Sequence, residues 1–147
     1  MTIEEKITRY RGIPKLIKDL QIDKEICTSV KSVQFDSIGE AKGTHGNSTE
    51  KKLIDAAEIS EKIAALQQER DRLELSIMQH INTTLYGSDE ETVDMRIALK
   101  KYLLQGLSLK QIATRHLHRD YKKTKELYST GFDIIKNTPS LTETNQE

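Results

Sequence analysis

Tryptophan is absent from the chain, phenylalanine occurs twice, and cysteine once, at Cys27. A single thiol excludes an internal disulfide and a multi-cysteine zinc site, and it fits a reducing compartment. Two prolines and seven glycines in 147 residues are too few for the turns of an all-β sandwich or barrel. No apolar run approaches the roughly 18 residues that a transmembrane helix needs. The opening MTIEEKITRYRGI has no apolar core of the secretory kind. Net charge is missing too, because 23 Lys and Arg balance 23 Asp and Glu. What remains is rich in Lys, Glu, Leu, Ile and Gln, the composition of long solvated helices. The expected fold class is all-α, in a soluble cytoplasmic protein without membrane contact.

The balanced total hides an asymmetry. Between Arg96 and Lys125 nine Lys or Arg accompany one acid, Asp120, an excess of +8. The other 117 residues carry 14 basic and 22 acidic side chains, or −8. Such a local excess is the electrostatic footprint of a polyanion-binding module, or else a solvated helical face. Shape has to decide between them.

Ile13, Leu16, Ile17, Leu20, Cys27 and Val30 fall at near-helical spacing, with Pro14 expected in a first helical turn. Residues 31–50 carry Gly39, Gly43 and Gly46 among Ser, Thr and Asn and read as a flexible connection. The clearest periodicity follows over 50–86. Ala56, Ile59, Ile63, Leu66, Leu73, Ile77 and His80 advance in three- and four-residue steps, interrupted at Arg70. That is a coiled-coil-like stripe, which one helix cannot bury alone. It needs residues 13–30 folded back as a hairpin, another subunit, or both. Residues 1–86 therefore form one expected region, for oligomerisation or partner contact.

The chain breaks at Tyr86-Gly87. Ser88 with Glu91 fits a capping box opening a helix of about 89–105, which Gly106 ends. Ser108 with Gln111 fits a second box, opening a short helix 109–116. A last helix spans about 120–135 and uses Leu127, Tyr128, Phe132 and Ile135 as its apolar side. The polar tail 138–147 is expected to be disordered. The short helix, the turn and the last helix have the proportions of a helix-turn-helix, with Ala113 as the small residue that permits close crossing. Ile97, Tyr102, Leu103, Ile112, Leu127 and Phe132 would form a three-helix core over 87–137. The second helix then presents His118, Arg119, Tyr121, Lys122 and Lys123 near its start, where a major-groove reader places its base contacts. Charge peak and motif coincide.

The segment Lys101-Tyr102-Leu103-Leu104-Gln105-Gly106-Leu107-Ser108-Leu109-Lys110-Gln111-Ile112-Ala113 resembles the signature of region four of primary sigma factors. Phage transcriptional regulators of the ArpU type, late-gene activators of phages of Gram-positive bacteria, share that signature and join it to an N-terminal helical hairpin. The resemblance covers about residues 97–135 in motif. The turn His116-Leu117-His118-Arg119 departs from it, being one residue longer and lacking a glycine. Thr124 stands where an aliphatic residue is usual, and Gly131 where alanine is. The resemblance implies a sequence-specific transcription regulator that binds double-stranded promoter DNA beside RNA polymerase in the bacterial host. Phosphate contacts would come from Lys110, Arg115, Lys122 and Lys125, and base contacts from Arg119 to Lys123, with Gln111 and His118 nearby. The hairpin would serve dimerisation or polymerase contact.

Other constellations carry less. His116 and His118 lack the partners of a metal site. Asp89, Glu90, Glu91 and Asp94 suit a helix start better than a calcium loop. Gly43-Thr44-His45-Gly46 matches no phosphate-binding loop. No nucleophile has a supporting base, and Cys27 lies on an apolar face. No enzyme and no cofactor are expected. Two alternatives stay open: a helical interaction adaptor that uses the coiled-coil stripe, and a phage DNA-packaging subunit.

Overall fold

The computed structural model describes the backbone of residues 1–36 and 45–139, and the side chains of residues 1–28 and 55–139. Among these residues the protein is all-helical, and no helix is long and apolar enough to cross a membrane. The helices are α1 (Ile3–Asp36), α2 (His45–Thr84), α3 (Glu90–Leu103), α4 (Leu109–Ile112) and α5 (Tyr121–Asn137). The flexible connection expected over 31–50 is shorter than its composition suggests. The helical backbone of α1 and α2 occupies its ends, and residues 37–44 lie outside the described residues, as does the tail from residue 140. Pro14 lies within α1 and not in its first turn. The helix starts ten residues earlier than the apolar pattern over 13–30 indicates.

The chain forms two compact units, Gly12–Arg70 and, together, Met1–Arg11 with the chain from Asp71 onward. The division falls inside both long helices and not at Gly87. In the first unit Ile13 is fully buried, and Ile17, Leu20, Ala56, Ile59, Ile63 and Leu66 are partly buried. Asp23, Ile26 and Cys27 of α1 line a groove together with Asp55, Glu58, Ile59 and Lys62 of α2. Side chains of α1 and α2 thus come together beside Ile59 of the stripe. Leu16 faces solvent, contrary to its place in the apolar pattern, and so do Ile22 and Ile26.

The second unit explains where the remaining boundaries go. Ile3, Ile7 and Tyr10 of α1 pack in one core with Ile77 and Ile81 of α2, Leu85 just beyond it, Leu99 and Leu103 of α3, and Ile135 of α5. Ala98, Ile112, Leu117 and Leu127 form a second, smaller core inside the helix-turn-helix. Helices α3 and α5 thus have two apolar sides. Left alone, residues 87–137 would expose Leu99, Leu103 and Ile135, at roughly 1.5–3 kcal/mol for each large aliphatic side chain. The ends of the long helices supply the cover. Leu103 and Phe132, expected in the three-helix core, belong to the larger one.

Several polar groups inside this unit have partners across it. The Tyr10 hydroxyl donates to the Leu104 carbonyl at 3.0 Å, and Arg11 donates to the Tyr102 carbonyl at 3.1 Å while lying 4.9 Å from the Tyr102 ring centre. His80, the polar member of the stripe, is buried with Nε2 at 2.9 Å from the Ile135 carbonyl. Arg96 donates to the Leu85 and Gly87 carbonyls at 2.5 and 2.7 Å. A cation is thereby held at the C-terminal end of α2, where the helix dipole favours it.

Two left-handed residues close the helices that flank the turn. Gly106, at φ +71°, ends α3 while the Leu107 N–H donates to the Lys101 carbonyl at 3.1 Å. After α4 the helix widens over Ala113–Leu117 into a π turn. His118 then takes φ 52° and ψ 44°, and the Arg119 N–H donates to the Ala113 carbonyl at 3.1 Å. In both endings this hydrogen bond spans six positions, one more than the 6→1 bond of a Schellman motif. His118 thus occupies a conformation that glycine adopts more readily. For an L side chain that conformation costs roughly 1–2 kcal/mol. His118→Gly should therefore stabilise the protein by about 0.5–1 kcal/mol after glycine's greater freedom in the unfolded chain is subtracted. His118→Val should destabilise it, and urea denaturation of the two variants checks both signs.

Candidate nucleic-acid interface

Local sequence fixes the three helix starts around the interface. At α3 the cap is Asp89 and not Ser88: its carboxylate accepts from the Thr92 N–H at 3.1 Å and from the Thr92 hydroxyl at 2.8 Å. At α4 the expected box is complete, with the Gln111 N–H on Ser108 Oγ and the Ser108 N–H on Gln111 Oε1. At α5 the cap is Asp120, which accepts from the Lys123 N–H at 3.2 Å. Each cap satisfies N–H groups that the helix itself leaves unpaired.

Packing then sets the faces. Thr124, Leu127, Gly131 and Ile135 are the buried side of α5. Thr124 is buried without leaving its hydroxyl unpaired, because that hydroxyl donates to the Asp120 carbonyl at 3.0 Å. Gly131 lies against α3. A Cβ there would stand 3.1 Å from Leu99 Cδ1 and 3.3 Å from Met95 Cβ. At 100° per residue, the side of α5 opposite this packing is centred on Lys122, Glu126 and Ser129. All three are exposed.

The nine nominated residues divide by environment. Lys122 and Lys125 are exposed on the first turns of α5, and Arg115 and His118 are exposed before it. Lys110 lies 5.9 Å from the ring centre of Tyr121, itself 45% exposed, so the outer side of α4 adjoins the start of α5. Gln111 differs from its expected role, since its side chain is held in the α4 cap. Arg119 and Lys123 are turned aside. Arg119 Nε donates to Asp94 at 2.6 Å, its other end lies 3.0 Å from Glu90, and Lys123 Nζ donates to Glu91 at 2.9 Å. The hydrogen bond that Arg119 donates to Asp94 is the main cause that raises its guanidinium above its usual range.

The acids at the start of α3 are therefore partners of Arg119 and Lys123 as well as a favourable helix start. Only the latter is legible from local spacing. No spacing rule connects Asp94 with Arg119, 25 residues apart, or Glu91 with Lys123, 32 apart. Arg96 is likewise engaged, on the carbonyls of Leu85 and Gly87 just after α2, and burial lowers the Lys100 ammonium below its ordinary range. The exposed basic set is reduced to Lys110, Arg115, Lys122 and Lys125. It can meet phosphates and the polar edges of bases. No family model, curated protein or solved structure matches the chain.

The Asp89 carboxyl is held below its ordinary 3.8, first by the Thr92 hydroxyl and then by the Thr92 N–H. A carboxylate with a lowered folded-state value stabilises fully above 3.8 and loses that contribution as the pH falls through the lowered value. Asp89→Asn keeps an acceptor but no charge. The urea midpoint of the parent chain should exceed that of the variant above pH 3.8, with the difference closing below it.

Proposed function

We propose that the protein is a sequence-specific regulator of transcription that binds double-stranded promoter DNA with its helix-turn-helix. The observation that carries this reading is the outward side of α5. A capped helix with a two-sided core behind it presents Lys122 and Lys125 beside Lys110 and Tyr121, while the nearby acids of α3 are neutralised by Arg119 and Lys123. A rigid helix with a basic outer face has the dimensions and charge to enter a major groove. The sigma-like segment Lys101–Ala113 supports a narrower form of the proposal, an activator of phage late genes of the ArpU type working beside host RNA polymerase.

A second reading has its own observation. Leu16, Ile22 and Ile26 are exposed on α1, a surface suited to another protein chain, as in a helical adaptor or a dimer. The two readings differ in what salt does. A regulator that neutralises several phosphates loses affinity linearly in log salt, whereas an adaptor binds no duplex at all.

The test is the affinity for duplex DNA as a function of salt concentration. Lys122→Ala and Lys125→Ala should each lower the salt slope by about one. Arg119→Ala and Lys123→Ala should leave the slope unchanged and lower the melting temperature instead. Absence of binding by the intact protein at low and moderate salt alike would overturn the reading.

A further inference from the structure

Five acids at the starts of α3 and α5 have a partner within the protein. Glu90 and Asp94 meet Arg119, Glu91 meets Lys123, Asp89 caps α3 and Asp120 caps α5. Glu126 differs. It is exposed, and among the described residues it makes no ion pair. It also occupies the middle of the outward side of α5, one turn beyond Lys122, with Lys123 and Lys125 as near neighbours in the chain. Asp133 shares that side but lies seven residues, or about 10 Å, farther along the helix.

A carboxylate at the centre of a basic reading surface reduces attraction for phosphates, which are themselves anions. It therefore contributes discrimination in place of affinity, provided that a base edge offers a donor. Guanine presents N7 and O6, both acceptors, and thymine presents O4 and a methyl group; each repels or excludes a carboxylate. Adenine has an amino donor, with the N7 acceptor beside it. Cytosine alone presents its N4 amino group without an adjacent acceptor. We propose that Glu126 is a specificity-determining residue that selects cytosine by accepting a hydrogen bond from N4 in the major groove. The inference rests on the DNA-binding reading above and adds to it which base is read and by which atom.

The experiment is selection of bound duplexes from a random pool by the intact chain and by Glu126→Ala, Glu126→Gln and Asp133→Ala. The intact chain should enrich a motif with a required cytosine in each site. Glu126→Ala should retain the remainder of the motif and lose preference at that position, where discrimination of roughly 5- to 150-fold is expected of one good base contact. Its affinity for unrelated duplexes should rise, because a negative charge has gone. Glu126→Gln should shift the preference toward adenine, whose N6 and N7 suit an amide. A purely electrostatic role for Glu126 would not produce that change of base. Asp133→Ala should select as the intact chain does. If the intact chain enriches a motif and Glu126→Ala enriches the same one, cytosine included, the inference is overturned while DNA binding stands. Loss of preference at a base other than cytosine overturns it equally. If the intact chain enriches nothing, the DNA-binding reading itself falls. Alanine is the best helix former, so circular dichroism should find α5 intact in the Glu126→Ala protein.

Discussion

The close approach of α3 and α5 at Gly131 is the constraint on which the rest of the second unit depends. With no side chain at that point, Leu99 and Met95 lie directly over the backbone of α5. The two helices then expose apolar residues on both flanks of their contact. One flank is closed by Ile112 and Leu117 of the helix-turn-helix, the other by the first turns of α1 and the last turns of α2. A helix packed from two directions has little freedom to roll. The outward side of α5, with Lys122 and Lys125, is defined by what lies behind it.

The parts that were legible in the sequence are those whose partners lie within a turn or two. Ser108 and Gln111 are three residues apart, and their reciprocal hydrogen bonds follow from that spacing alone. The stripe from Ala56 to His80 was legible because the helical period repeats, and His80 belongs to it because a carbonyl of α5 meets its ring. At the start of α3 the sequence offered two caps one residue apart. Thr92, with both an N–H and a hydroxyl in reach of Asp89, decides between them. The first turns of α1 were not legible as core. Ile3, Ile7 and Tyr10 have helical spacing, but their importance comes from core partners that lie between Ile77 and Ile135, far along the chain.

The candidate site shows the same limit in electrostatic form. Counting charges along the chain identifies the basic region, since every residue in the count is local. It does not reveal which charges are already engaged. Arg96, Arg119 and Lys123 are part of the excess between Arg96 and Lys125, yet each is directed to a carbonyl or carboxylate of the protein. What remains is smaller and displaced toward Lys110 and Tyr121. A charge in sequence becomes a charge available to a ligand only after folding has assigned the others.

The hydrogen bond from Tyr10 to Leu104 links residues 94 positions apart, and the core around it also requires Ile135. Contacts so distant in sequence cost loop-closure entropy before they return any burial, which slows folding relative to a locally wired bundle. On the ribosome the consequence is temporal. The first turns of α1 are made well before α5 and remain without part of their native core until it follows, so their apolar side stays uncovered over most of the intervening synthesis.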